Sequence, residues 1–360
     1  MQEPAGVARI AITGAGAELA AAALIRARRD AGQRVAALHV APPDHAAEDF
    51  VFAAGGLGAN ACFWLEWAAG HALGTPPEDA VCVVIAAPAG GLSVADGLDA
   101  VWAADAYPPR LDAFGRPGTD PAATRAGPAL RIGICGTEAR HRIANPAVLV
   151  RLADAADRIG AALEPVFLPA DVPITLPDDL AGIVLPGGAD MAEVEAQIAA
   201  ARIALAHDLP CFGLCLGMQS MATMILRDAG HPAAALEEIA GPGPRRSFVR
   251  LCDATGAPVW RLGDRAFRPR AGTHLAALLT NGAMLRMNHR FHLNPAFGLL
   301  PGLVLHPSTD GTVIDAIEHP ARRFFIGFQG HPELGCDAAL DRLWDAFLNA
   351  CRSAAFRPRT

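Results

Sequence analysis

The sequence predicts an α/β fold in two parts, a smaller N-terminal one and a larger one after it. Three observations carry this expectation. Short apolar runs alternate with stretches of helical length on both sides of a Pro/Gly-rich segment, so strand and helix layers are expected twice. Glycines stand repeatedly where such a run gives way to a helix, the place of a tight strand-to-helix turn. With 360 residues, 52% apolar and 19% charged, the chain can bury sizeable cores and is not globally disordered.

The elements follow in order. Ala8–Thr13 is an apolar strand, and Gly14-Ala15-Gly16 turns it into a helix from about Glu18 to Asp30. Gly32 ends that helix, and Arg34–Val40 is the next strand. Phe63, Trp64 and Trp67 read as core or interface residues. Val81–Ala86 is a further strand, ending in Ala87-Pro88-Ala89-Gly90-Gly91-Leu92. Residues 106–130 carry five prolines and three glycines without sustained periodicity, so they read as a linker between domains at 1–105 and 131–352. In the second part, the strand Gly182–Leu185 ends at Pro186-Gly187-Gly188. A helix over about 189–207 leads to the strand Pro210–Leu214, and another helix runs over about 216–227. The strand Phe324–Phe328 ends at Gln329-Gly330-His331-Pro332-Glu333.

Composition removes several functions. All 30 basic residues are arginine, so neither a Schiff-base lysine nor the phosphate-clamping lysine of a P-loop is present. A net charge of −7 without a long basic run argues against nucleic-acid binding. Eight cysteines with no CxxC pair predict neither a zinc site nor a disulfide framework. Cys135, Cys211 and Cys252 lie in or beside apolar strands and read as core thiols. His289 and His292 lack a third ligand, so no metal is expected, and no cofactor is implied. The start of the chain has no basic n-region, and Ala20–Ile25 is too short to span a membrane, so a soluble cytoplasmic protein is expected.

The chemistry concentrates in the second part. Cys215 stands at a strand-to-helix junction, where a nucleophile is pushed out of the sheet into a cleft, with Gly213 and Gly217 keeping the crowded turn free of side chains. Gly187-Gly188 ends a neighbouring strand and can turn a backbone N–H toward an oxyanion, alongside the N–H of Leu216. His331 can act as base and acid, with Glu333 close enough to orient its ring. Each feature alone has a plain structural reading: a buried thiol, a common glycine turn, a surface His-Pro. Their succession, each after an apolar strand, favours nucleophilic catalysis.

Roughly from Arg131 to Arg352, the chain resembles a class I (triad-type) glutamine amidotransferase, through PGG at 186–188, GLCLGMQ at 213–219 and HPE at 331–333. GLCLGMQ and the segment RMNHRFHLNP at 286–295 are most similar to the glutaminase domain of CTP synthase. The resemblance implies a flavodoxin-like domain with Cys215 as nucleophile, His331 as base, Glu333 as orienting acid, and Gly188 and Leu216 as the oxyanion amides. It further implies that Gln219 and Glu238 hold the α-amino end of L-glutamine and that Arg290 pairs with its α-carboxylate. Glu237 matches as well as Glu238, and a solvated helix-end carboxylate or a structural Arg290 ion pair are the plain readings.

In the first part, ITGAGAELAAAAL, AGQRVAALHV and VVIAAPAGGL resemble the P-loop fold of dethiobiotin synthetase and of the CTP synthase synthetase domain. The loop lysine and its Ser/Thr are missing, as is the acidic residue before Gly-Gly, which implies a degenerate P-loop-like domain without an ATP or magnesium site. A tight turn is the plain reading of its glycines.

The function expected is a glutaminase half-reaction supplying ammonia to an amination, the ammonia-accepting synthetase being a separate partner. Self-association is a further partner reading. A stand-alone γ-glutamyl amide or peptide hydrolase and a non-catalytic regulatory module are the alternatives. The intact Cys215, His331 and Glu333 set speaks against the second of these.

Overall fold

The computed structural model describes residues 7–40, 61–73, 77–87, 92–106, 108–118, 128–143, 145–170, 174–188 and 190–355. The expected turn at 88–91 and residues 107 and 119–127 of the expected linker lie outside the described residues. The chain forms two compact units, one of residues 1–124 and 144–150, the other of residues 125–143 and 151–360.

The first unit contains β1 (Ala8–Thr13), α1 (Ala17–Asp30), β2 (Val35–His39), α2 (Ala61–Ala69), β3 (Cys82–Ala87) and β4 (Ala100–Ala103). The strands form one parallel sheet in the order β2-β3-β1-β4. A central parallel strand is covered on both faces, which is why β1 carries the consecutive buried residues Ile10, Ala11 and Ile12. Phe63, Trp64 and Trp67 are buried on α2, and the Arg26 guanidinium lies 4.5 Å over the Trp67 ring. Part of the expected linker is an ordered hairpin. Leu111 bridges Pro117, and Asp112 accepts from the Phe114 and Arg116 amides and, at 2.6 Å, from Arg116 Nε.

The second unit takes in β5 (Leu130–Cys135), α3 (Glu138–Ile143), residues 151–159 of α4 (Pro146–Ile159), β6 (Leu163–Leu168), β7 (Gly182–Leu185), α5 (Val194–Ala206), β8 (Cys211–Leu214) and α6 (Leu216–Asp228). There follow β9 (Ala235–Leu236), α7 (Glu237–Ala240), β10 (Arg246–Arg250), β11 (Arg261–Phe267), α8 (His274–Leu278), β12 (Ala283–His289) and β13 (Phe291–Leu293). The chain then returns through β14 (Val304–Pro307), β15 (Ile314–Glu318) and β16 (Phe325–Phe328) to α9 (Ala338–Ala355). The main sheet has the order β14-β15-β16-β8-β7-β5-β6, parallel from β16 to β6 with an antiparallel pair at one edge.

Every residue of β7, β8 and β16 is buried, as central parallel strands require. Phe212 of β8 packs against Phe324, Phe328, Trp344 and Phe347, so aromatic area anchors this sheet to α9. The pairing register sets Leu185 beside Gly213 and Leu214 beside Phe328. Three strand ends therefore meet at one sheet edge, and the chain leaves them at Pro186, Cys215 and Gln329.

Two local expectations change. The helix expected over 189–207 opens as a 3-10 turn, Met191–Glu193, capped by the Asp190 carboxylate accepting from the Ala192 N–H at 3.1 Å, and becomes α-helical at Val194. Cys135 and Cys211 are buried, but Cys252 is exposed, because it sits in a tight hairpin bridged to Pro258 rather than in the sheet. Among the described residues no helix is long and apolar enough to cross a membrane.

Candidate active site

Cys215 occupies the step from β8 into α6 with φ 48° and ψ −102°, a backbone shape that residues with a Cβ rarely adopt. Two bonds hold it there: its N–H donates to the Phe328 carbonyl at 2.7 Å, and its carbonyl accepts from the Gln219 N–H at 3.1 Å. The turn tolerates nothing larger than glycine at 217, where a Cβ would fall on the Leu185 carbonyl. Leu216 opens α6, so its N–H belongs to the first turn, which has no acceptor within the helix. Gln219 lies buried one turn further on, on the same face as Cys215.

His331 reaches the same place from β16. Its N–H donates to the Arg286 carbonyl at 2.8 Å, which pins the turn to β12. Nδ1 donates to Glu333 Oε1 at 2.7 Å, and the two side chains are buried together. That contact orients the ring and leaves its other nitrogen for the side of Cys215, whose sulfur acts on the charge of the imidazole. Burial alone would push His331 down, but the Glu333 charge, then the Cys215 sulfur, hold it up at about 10. The Gly187-Gly188 turn closes over the pair: a Cβ on Gly187 would stand 2.9 Å from His331 Cε1 and 3.2 Å from Cys215 Cβ. Gly188 has φ 149°, and a side chain there would strike the Arg140 guanidinium.

Three neighbours were invisible in the sequence pattern. Arg140 donates to the Gly187 carbonyl at 3.4 Å and is ion-paired with Glu193, bracing the glycine turn from behind. Gln329, fully buried, points its amide at Cys215 Sγ, with Nε2 3.9 Å away. Its position two residues before His331 on an extended segment was the one available signal, since such residues share a face. Arg151 of α4 donates to the Glu333 carbonyl at 3.0 Å and to the Gly335 carbonyl at 2.6 Å.

Arg290 and Glu238 lie near enough for the charge of one to act on the other. Arg286 of β12 meets His331, and Arg290 stands at the bend between β12 and β13. Between them His289 is buried, pressed down to about 3 by that burial and then by Arg261, with His331 adding a smaller repulsion. Its Nδ1 contacts the Phe291 carbonyl at 2.9 Å and its Nε2 lies 3.2 Å from Arg261 Nη1, so both nitrogens are engaged within the protein. Glu238 is raised by desolvation, which the charges of Arg250 and Arg290 oppose. Glu237 instead accepts from the Arg250 N–H at 3.3 Å. Among the described residues no group of three or more His, Cys, Asp or Glu side chains could hold a metal ion.

A sulfur, an imidazole and a carboxylate in sequence, beside free helix-start amides, are equipped for acyl transfer through a thioester. The family described as glutamine amidotransferase class-I matches residues 148–349, more than half of the chain. The chain belongs to the class I glutamine amidotransferase family. Within it, the match is to the glutaminase part of CTP synthases. CTP synthase of Thermus thermophilus is 31% identical over 171 residues, covering 43% of this chain and 31% of that protein. CTP synthase of Chlamydia muridarum is 30% identical over 239 residues, 61% of this chain and 44% of that one. The chain thus spans less than half the length of these relatives. The glutaminase domain of Trypanosoma brucei CTPS, solved with bound acivicin, superimposes with a TM-score of 0.56 at 22% identity, covering 64% of this chain and 96% of that domain. That likeness establishes the flavodoxin-like fold of the second unit.

Proposed function

We propose that the chain hydrolyses L-glutamine to glutamate and ammonia at Cys215, His331 and Glu333, and that the ammonia serves an amination carried out by a partner synthetase. The observation that carries this reading is the meeting of Cys215, the His331–Glu333 pair and the Gly187 turn at one sheet edge. The Cys215 sulfur attacks the γ-carboxamide carbon, and the oxyanion that forms is received by the amides of Gly188 and Leu216. His331 gives its proton to the departing nitrogen, ammonia leaves, and a γ-glutamyl thioester remains on Cys215. Water then attacks the thioester, losing its proton to His331, and glutamate is released. Glu333 keeps the imidazole oriented and favours its charged form before the proton is given up and after it is regained. Arg290 grips the α-carboxylate, while Glu238 and Gln219 receive the α-amino end.

We assign this chemistry to residues 131–352 and read residues 1–105 as a degenerate P-loop-like domain, attached through 106–130, without ligase activity of its own. Similarity to CTP synthases favours a pyrimidine nucleotide as the final ammonia acceptor. Ammonia release from glutamine by the purified chain tests the reading, together with Cys215→Ala, which should lower turnover by several orders of magnitude. Turnover unchanged in that variant overturns the assignment. Comparing glutamine with γ-glutamyl amides of bulky amines separates the amidotransferase from a γ-glutamyl hydrolase: an ammonia supplier prefers the unsubstituted amide, a hydrolase does not.

A further inference from the structure

We propose that Trp260 is a positioning residue that presents Arg290 to the α-carboxylate of the substrate, an inference that rests on the function proposed above. The Arg290 guanidinium carbon lies 3.9 Å from the centre of the Trp260 ring. A cation at that distance over an indole is held by the ring quadrupole, and Trp is the strongest aromatic partner for it. Stacking occupies a flat face of the guanidinium. All five N–H donors lie in its plane, so the edge that forks onto a carboxylate stays available.

Both partners are fixed from below. Trp260 Nε1 donates to Asn288 Oδ1 at 3.0 Å, which sets the tilt of the indole against β12. The hairpin at 252–258 is closed by the Cys252–Pro258 bridge and by Asp253 Oδ1 accepting from the Thr255 and Ala257 amides. Leu251 joins the two sides: its N–H donates to the Arg290 carbonyl at 2.8 Å, and its carbonyl accepts from the Val259 N–H at 2.8 Å. One residue therefore ties the backbone of the arginine to the strand that delivers the tryptophan. The Glu238 side chain also feels the charge of the same Arg290. An unsupported arginine at an exposed turn samples many rotamers and loses that freedom when it binds; a stacked one has already lost it.

The platform acts on binding and not on bond-breaking, which defines its test. In steady-state kinetics, Trp260→Ala should raise the KM for glutamine about two- to thirtyfold, the range that cation–π stacking corresponds to, with kcat essentially unchanged. Trp260→Phe should recover most of the affinity, and Trp260→Leu, which fills space without a π face, should not. If the alanine variant does not fold, the Phe/Leu pair alone decides the question. Adding glutamine to the inactive Cys215→Ala chain should also change tryptophan emission, and the change should vanish in Cys215→Ala/Trp260→Phe. An unchanged KM in Trp260→Ala, or Leu serving as well as Phe, overturns the platform while leaving the glutaminase reading intact. No ammonia release by the unaltered chain overturns both.

Discussion

At residue scale, the charge state of His331 is the most consequential feature of the site. Its folded value near 10 lies above the ordinary value near 6.5. The contribution of this group to stability is therefore complete below pH about 6.5 and is lost as pH rises through about 10. In the reaction proposed above the same proton goes to the leaving nitrogen, so the alkaline fall of kcat/KM should track it. Glu333 is the first of the groups that hold it up, ahead of Cys215. Glu333→Gln removes that charge while keeping the shape. It should move the alkaline limb down by more than one pH unit and lower kcat by roughly a thousandfold. A pH–rate profile from pH 6 to 11 checks this, and an alkaline limb that stays in place would remove Glu333 from the role given to it.

At the scale of elements, the turn carrying His331 and Glu333 is held by a helix remote in sequence. Arg151 is buried, and its guanidinium spans the Glu333 and Gly335 carbonyls. Arg151→Ala leaves two buried acceptors without these donors, at about 1–3 kcal/mol each, and loosens the turn that aims the imidazole. The expected result is a lower melting temperature and a kcat reduced tenfold or more, with the KM for glutamine nearly unchanged. Partial recovery of kcat on adding guanidinium ion would distinguish aim from folding. A melting temperature lowered without any change in kcat would make Arg151 purely structural. Such a contact explains where reading the sequence stops. Ala8–Thr13 and Gly182–Leu185 were legible to the residue, because unbroken apolar runs bounded by turn residues leave no other placement. That Cys215, His331 and Glu333 come together at one sheet edge was legible because Cys215 follows directly on one such run and the turn carrying His331 and Glu333 follows on another. Arg151 and Arg140 were not, since nothing near either in the chain records a partner dozens or nearly two hundred residues away. The small sheets of β9 to β13 escaped notice for a different reason. β9 and β13 are only two and three residues long, and β11 alternates between burial and exposure too irregularly to stand out as a strand.

At the scale of the whole molecule, the two units place different groups at comparable helix starts. In the second unit Cys215 stands at the turn into α6, beside amides with no acceptor within the helix. In the first, Gly14 and Gly16 bend the chain into α1 through positive φ values of 93° and 81°, but the first turn then holds Glu18. Glu18 lies 3.6 Å from His39; burial would raise its carboxyl, yet the neighbouring imidazole holds it below the usual range. A fixed anion at a helix start opposes a phosphate there, and no lysine exists to counter it. Calorimetry with ATP and magnesium should accordingly detect no site tighter than about 1 mM. A micromolar site that disappears with residues 1–105 would contradict this. The pairing of β8 with β16 has a consequence of another kind. The sulfur and the imidazole issue from neighbouring strands locked at Leu214 and Phe328, although a long stretch of chain separates them. That stretch leaves from and returns to one seam, and on it ride Glu238, Trp260 and Arg290. The stretch also hands back two fasteners, the Arg286 carbonyl that takes the His331 N–H and the Asp315 carbonyl that takes the Gln329 N–H. The loop that carries the recognition residues is thus also the clasp that closes the seam, so a distortion in one is felt in the other.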